Sequence, residues 1–117
     1  MALTKEAILA ADDLPRRKVE VPEWGGDVYV RTMTGAERDA WEISFVPEAG
    51  GEKRDLSNIR AKLAVLACVD EQGKRLFDDA DVEALGQKSA SALERIVEAA
   101  GKLNALSGAD LEELRGN

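Results

Sequence analysis

The sequence predicts an α+β fold that is mainly α-helical, with several short-to-medium helices packed on a small antiparallel β-hairpin near the N-terminus. Two patterns support this class. Valine alternates with charged residues near the N-terminus, whereas apolar residues recur at helical spacing through most of the remaining chain. The length of 117 residues favours one domain over residues 1–117, with a core that needs no metal or disulfide.

The hairpin is predicted over about residues 17–33. Valine alternates with charged residues at 18–21, and a second alternating run covers 28–33. Residues 22–27 lie between the two runs and contain proline, two glycines and aspartate, which favour a turn. Because two strands alone are marginally stable in water, the valine face should pack against a helix.

Helices are predicted over about 4–11, 35–45, 57–69, 80–85 and 90–104. The 57–69 helix carries a long apolar side and should form the centre of the core. The first helix is expected to place its apolar residues on one face: Leu3, Ala7, Ile8 and Ala11. Residues 46–55, which contain helix breakers and many charges, are predicted to form a flexible loop, and 107–114 a short final helix.

Polar residues mark where several of these helices begin. Residues 34–37 have the Thr-x-x-Glu form of a capping box, in which Thr34 and Glu37 each satisfy one free backbone donor. Either Asp79 or Asp81 is expected to cap the 80–85 helix. The last long helix begins at Ser89 or Ser91, and its core face comprises Leu93, Ile96, Val97, Ala100 and Leu103.

The charge of the chain argues against two classes of partner. The net charge is -7 and the isoelectric point is about 4.7, and the tight basic cluster at residues 16–18 is flanked by acidic residues. Binding to nucleic acid or to an anionic membrane requires clustered cations, so neither is expected. No segment approaches the roughly 20 apolar residues of a membrane span. We expect a soluble cytoplasmic protein.

The residue inventory also argues against enzymatic activity. The sequence has no histidine and one cysteine, which removes the commonest general base, the common nucleophile systems and a structural zinc site. We therefore predict no catalytic residues, no cofactor and no metal site. Cys68 lies in the apolar run 63–69 and is expected to be a small buried hydrophobic residue.

Tryptophan and tyrosine supply the candidate protein-binding residues, which are Trp24 and Tyr29. Tryptophan is enriched in binding hot spots, but in a chain with few aromatics it is equally suited to the core. Trp24 lies in the predicted hairpin turn, so both interpretations stay open for it. Trp41 lies on the stripe of a predicted helix, which favours the core.

The order of these pieces resembles a known family. After the hairpin come residues 34–42, TGAERDAWE; an amphipathic helix then leads into 68–77, CVDEQGKRLF, and into 83–89, EALGQKS. This layout, from about residue 14 to 106, is similar to that of the tail assembly chaperones of siphophages and related prophages.

The resemblance implies a function. Such proteins bind the long tape measure protein in the cytoplasm of the infected bacterial host, keep it soluble and help recruit tail tube protein subunits, and they are not expected in the mature virion. The family offers no catalytic residues to carry over. Coating a long partner suits self-association into an open, head-to-tail homo-oligomer. The alternative is a structural phage tail or head-tail connector subunit.

The family also suggests a hypothesis about translation. Its members are often made in two lengths by ribosomal frameshifting near the end of the shorter product. The codons of Arg115, Gly116 and Asn117 can form a slippery heptamer, so this chain is expected to be the shorter product.

Overall fold

The computed structural model describes residues 2–44 and 57–106. The elements are, in chain order, α1 (Lys5–Ala10), β1 (Arg16–Val21), β2 (Gly26–Arg31), α2 (Gly35–Ile43), α3 (Ile59–Ala67), β3 (Cys68–Val69), α4 (Val82–Gly86) and α5 (Ala90–Leu103). Short 3-10 helices lie at Pro22–Trp24 and Asp79–Asp81. The predicted class, α+β and mainly helical, is confirmed. The predicted loop at 46–55 and final helix at 107–114 fall outside the described residues.

The hairpin joins β1 and β2 in antiparallel register, with Val19 opposite Val28 and Val21 opposite Gly26. The turn between them is the 3-10 helix Pro22–Trp24, and it ends at Gly25, whose φ of 75° is the left-handed conformation that glycine adopts without strain. Val21 and Val30 are fully buried, so the valine face packs against the helices as predicted.

A third strand extends this sheet and was not predicted. The helix expected over 57–69 begins at Ile59 and ends at Ala67, and β3 then pairs Cys68 with Val30 of β2. Apolar runs of this length satisfy either a buried helix or a buried strand, so the sequence pattern does not separate the two. The free edge of β2 decides the outcome, because it supplies hydrogen bonds to an extended backbone at 68–69.

The core lies between the sheet, α3 and α5. Helix α3 is buried around most of its circumference, whereas α5 buries one stripe. Four of the five residues predicted for that stripe are buried, and the fifth, Leu103, packs half-buried against the core. The Ser89 hydroxyl caps α5 by accepting a hydrogen bond from the Ala92 N–H at 3.2 Å.

Helix α2 begins with the predicted capping box. Thr34 Oγ1 accepts from the Glu37 N–H at 3.1 Å, and Glu37 Oε1 accepts from the Thr34 N–H at 2.8 Å. At the next acidic start, Asp81 occupies the predicted N-cap position of α4, but its side chain makes no capping hydrogen bond to that helix. A second capping box lies one turn earlier, at the 3-10 helix, where the Asp78 carboxylate accepts from the Ala80 N–H at 2.9 Å. Asp81 instead completes that box by accepting from the Asp78 N–H at 2.9 Å.

Helix α1 does not pack as predicted. Thr4 caps it, with its hydroxyl 3.1 Å from the Ala7 nitrogen, but every residue from 2 to 13 is exposed. The expected apolar face therefore contacts no core: Leu3 is 73% and Ile8 is 55% exposed, and Ala7 and Ala11 are exposed too. An isolated six-residue helix is marginal in water, so local capping accounts for its start but not for its stability.

Candidate protein-binding site

Trp24 is half-buried and packs against the hydrophobic core from the hairpin turn. The turn is tied to α5, since Arg95 Nε donates to both carboxylate oxygens of Glu23 at 2.9 and 3.2 Å. A backbone hydrogen bond and the Arg95 guanidinium lower the pKa of Glu23. Trp24 is thus held in place as part of the fold, with only a portion of its ring open to a partner.

Tyr29 lies on the central strand β2, opposite Lys18 of β1 and Val69 of β3. Side chains alternate along a strand, so Tyr29 occupies the face of the sheet opposite to Val28 and Val30, which contact the core. The Arg16 guanidinium lies 5.6 Å from the centre of the Tyr29 ring. The two candidate residues, Trp24 and Tyr29, therefore lie on different faces and do not form one patch.

An apolar groove between α2 and α3 is the better candidate site. Its volume is about 390 Å³. Trp41, Val65 and Leu66 form its buried floor, and Ala36 and Ala40 of α2 form one exposed wall. Alanines at i and i+4 lie on one helix face, where their small side chains allow another backbone to approach. The other residues that line this α2–α3 groove are Glu37, Ser44, Lys62, Arg75, Asp79 and Val82.

The charged residues at the rim of the groove are held by hydrogen bonds within the fold. Lys62 Nζ donates to the Ser44 carbonyl at 3.2 Å. Arg75 donates from Nε to the Val65 carbonyl at 3.1 Å and from Nη2 to Asp79 at 3.3 Å. Because these contacts fix the rim side chains, the groove presents an apolar floor with Lys62 and Arg75 held at its edges.

A partly buried ion pair fixes the α2 wall to the sheet. Arg31 Nη2 at the end of β2 donates to the two carboxylate oxygens of Glu37 at 3.0 and 2.8 Å. The two side chains are only 11% and 15% exposed. Glu37 therefore has two roles: it completes the capping box of α2 and it neutralises the one buried cation of the described core. The pair ties the first turn of α2 to the end of β2.

The remaining chemistry of the described residues is structural. Cys68 is buried, and burial raises the pKa of its thiol to about 12, so it is an unreactive thiol. Within residues 2–44 and 57–106, no group of acidic or cysteine side chains is arranged to hold a metal ion. In the same part of the chain, no helix has the length and apolar character needed to cross a bilayer.

The sequence indicated that the floor of the groove is core but did not indicate the groove itself. Trp41 is 2% exposed, as its position on a helical stripe predicted. In the sequence, the available signal for the groove is the pair Ala36 and Ala40, which are spaced by one helical turn and lie directly beside Trp41. Such a pair is weak alone, because alanine is also the most common helix former.

Comparison with known proteins identifies the family. The sequence profile of phage tail assembly chaperones matches residues 3–116. Among solved structures, the chain is similar to the tail assembly chaperone of bacteriophage HK97, with a TM-score of 0.62 and 17% identity over 87% of this chain and 94% of that one. No curated protein matches the chain in sequence. Since the profile match spans nearly every residue, the chain belongs to the phage tail assembly chaperone family.

Proposed function

We propose that this chain binds amphipathic helices of a phage tape measure protein in the α2–α3 groove. The observation that carries the proposal is the apolar floor of Trp41, Val65 and Leu66, which lies open beside a wall of small side chains. Helix-in-groove recognition uses apolar side chains spaced by three or four residues, and a narrow apolar groove accepts such a stripe. A long tape measure chain would present many such stripes.

The charged residues at the rim of the groove would favour one orientation of a bound helix. Lys62 and Arg75 lie at its edges, where acidic residues flanking the apolar stripe of a bound helix can pair with them. Covering the apolar stripe would keep the tape measure protein from aggregating before the tube forms around it. We propose that the bound chaperone then helps recruit tail tube subunits, that no catalytic step is involved, and that this takes place in the host cytoplasm.

The exposed helix α1 supports self-association as part of this role. Leu3, Ile8 and Leu9 are 73%, 55% and 76% exposed, an arrangement that a six-residue helix cannot stabilise alone. We propose that α1 contacts a neighbouring copy, so that successive chaperones coat the tape measure protein head to tail. Replacing Leu9 with aspartate should lower the sedimentation coefficient of the assemblies, whereas Leu76→Asp, at a position 48% exposed, should not.

Co-expression tests the proposal. A phage tape measure protein should become soluble with the wild-type chain and with the Ala84→Glu control, and should stay insoluble with Ala40→Glu. Both alanines are exposed on helices, but only Ala40 lines the α2–α3 groove. Equal solubility with the two variants would contradict the assignment of the groove, and insolubility with the wild type would contradict tape measure binding itself.

A different measurement distinguishes this proposed function from the alternative, a structural tail or head-tail connector subunit. Mass spectrometry of purified virions should not detect this chain if it acts only during assembly. Its presence in a fixed ratio to tail tube protein would favour the structural role.

A further inference from the structure

A second groove lies between the free edge of β1 and one side of α5. Its volume is about 310 Å³. One wall is formed by consecutive residues of β1, from Arg17 to Glu20, and the other by Arg95, Glu98, Ala99 and Lys102. The α5 residues are spaced i, i+3, i+4 and i+7, so they form one continuous stripe parallel to the helix axis. No residue of this β1–α5 groove lines the α2–α3 groove.

Among the described residues, the backbone of β1 is hydrogen-bonded on one side only. The Thr32 N–H donates to the Pro15 carbonyl at 3.0 Å. Pro15 and Thr32 are therefore a hydrogen-bonded pair, and they lie next to the pair of Arg16 and Arg31. Hydrogen-bonded and non-bonded pairs alternate in an antiparallel ladder. Of the groove residues on β1, Arg17 and Val19 therefore bond to β2, whereas the N–H and carbonyl groups of Lys18 and Glu20 point away from it.

These outward groups meet no further strand in the described sheet, where β1 is the edge. An exposed edge of this kind is a template for an added strand. The groove places the stripe of α5 beside that edge, so an added strand would lie against Arg95 and Lys102 as well as against the backbone of Lys18 and Glu20.

The β1–α5 groove carries a cluster of cations although the molecule as a whole is acidic. Four cations line it, Arg17, Lys18, Arg95 and Lys102, against two anions, Glu20 and Glu98. The chain as a whole carries -7. Lys18 and Arg95 remain 58% and 46% exposed although each also pairs with a neighbouring carboxylate. Since screening limits surface charges to a range of about 8–10 Å, Asp27 beside Lys18 and Glu23 beside Arg95 offset two of these cations. Arg17 and Lys102, which form no ion pair among the described residues, are the cations open to an acidic ligand.

We propose that the β1–α5 groove binds an extended, acidic segment of a partner protein, which adds to the sheet as a strand beside β1. Main-chain hydrogen bonds to Lys18 and Glu20 supply the affinity. Acidic side chains of the segment pair with Arg17 and Lys102 and supply the selectivity. A second copy of the chain is the alternative occupant, and the variants below distinguish it from a partner protein. The proposal does not depend on how the α2–α3 groove is used.

Peptide binding to the full chain tests both halves of the proposal. The probe is a fluorescent peptide of alternating glutamate and valine, seven residues long, and its control is the same peptide with lysine in place of glutamate. Anisotropy should show that the acidic peptide binds at least roughly tenfold more tightly than the lysine peptide, with affinity falling as salt rises.

Variants at Lys18 separate the backbone from the charge. Lys18→Pro removes the outward N–H without touching the hydrogen bonds to β2, and proline is tolerated on edge strands with this orientation. Lys18→Ala removes the same charge but keeps the N–H. The proline variant should bind the acidic peptide roughly tenfold more weakly than the alanine variant, the loss expected for removing a main-chain contact. Glu20→Pro and Glu20→Ala repeat this test at the second outward position, should the first proline variant fail to fold.

Two charge-reversal variants, one on α5 and one just before it, test whether the cations of the groove contribute to peptide binding. Lys102→Glu should weaken peptide binding, whereas Lys88→Glu, outside the groove, should not. Equal binding by the paired proline and alanine variants, or equal binding of the two peptides, would overturn the proposal. So would a chain that binds neither peptide but changes from dimer to monomer with Lys18→Pro, since the occupant would then be a second copy.

Discussion

The two grooves of this chaperone are built in opposite ways. The α2–α3 groove has buried core residues for its floor, including Trp41 and Val65, which are 2% and 1% exposed. The β1–α5 groove has mostly exposed, charged side chains for its walls, and the proposed contacts to the edge of β1 are made by backbone atoms, which every substitution except proline leaves in place. Changes at the floor of the first groove should therefore alter folding and binding together, whereas changes at the walls of the second should alter stability by about 1 kcal/mol or less.

This difference follows from the elements that form each groove. Helix α3 is buried on nearly every side, so any surface that it offers is also core. Strand β1 is an edge strand that buries one face, so its outer edge is free of packing constraints. A binding surface on core residues is rigid but hard to vary, and a binding surface on an edge strand is easy to vary. Four predictions test or sharpen this contrast.

The largest effect is expected at the floor of the α2–α3 groove. Trp41→Ala should lower the free energy of unfolding by about 3–5 kcal/mol, the cost of deleting a buried aromatic side chain and leaving a cavity. Ile43→Ala on the same helix, at a position 69% exposed, should cost less than about 1 kcal/mol. Denaturant unfolding of both variants measures this difference. Similar costs would mean that the groove floor is not part of the core.

A smaller effect is expected at the wall of that groove. Glu37→Gln keeps an acceptor for the Thr34 N–H but leaves the Arg31 guanidinium without its carboxylate, so it should cost about 1.5–3 kcal/mol. The control is Glu42→Gln, which removes the more exposed Arg38–Glu42 pair and should cost about 0.5 kcal/mol or less. The same unfolding experiment decides whether the two ion pairs differ.

Alkaline pH tests whether the core beneath β2 is dry. In the folded chain, burial raises the pKa of the Cys68 thiol to about 12. In the unfolded chain, the thiol loses its proton near its ordinary pKa of 9.0. The stability from the raised pKa is thus fully present below about pH 9 and is lost as pH rises toward 12. Over that window the wild type should lose about 1.4 kcal/mol per pH unit more than Cys68→Ala. Parallel pH curves for the two proteins would show that solvent reaches the thiol.

The smallest effect is expected at the β1–α5 groove. Arg95→Ala removes an ion pair to Glu23 whose side chains are 46% and 25% exposed, so it should cost no more than about 1 kcal/mol. Thermal unfolding at low and high salt measures this cost, and the difference in stability between the wild type and Arg95→Ala should disappear at high salt. If Arg95→Ala lowered the free energy of unfolding as much as Trp41→Ala does, the two grooves would not differ in their contribution to stability.

Several parts of the fold could be predicted because their signals are local. The alternating valines indicated β1 and β2, Thr34 and Glu37 indicated the start of α2, and the apolar stripe indicated α5. Each of these signals lies within a few residues of the element it specifies. The assignment of β3 to a helix was wrong because Cys68 and Val69 satisfy both patterns and only β2, far away in sequence, decides between them.

The candidate site was harder to predict than the fold. Trp24 and Tyr29 were selected as aromatic residues near a turn, but the sheet places them on opposite faces and the core takes up much of Trp24. The α2–α3 groove depends on how two helices approach each other, and the β1–α5 groove on which edge of the sheet is left open. Neither relation is encoded in the spacing of residues along one element.

The sequence by itself determined the class of the fold, the capped starts of α2 and α5, and the acidic balance of the chain, because propensity, capping and charge act over a few neighbouring residues. Tertiary structure decided that 68–69 is a strand, that α1 has no core face, and where the two grooves lie. Those outcomes depend on contacts between residues far apart in the chain, in which an edge or a helix face is either covered or left open.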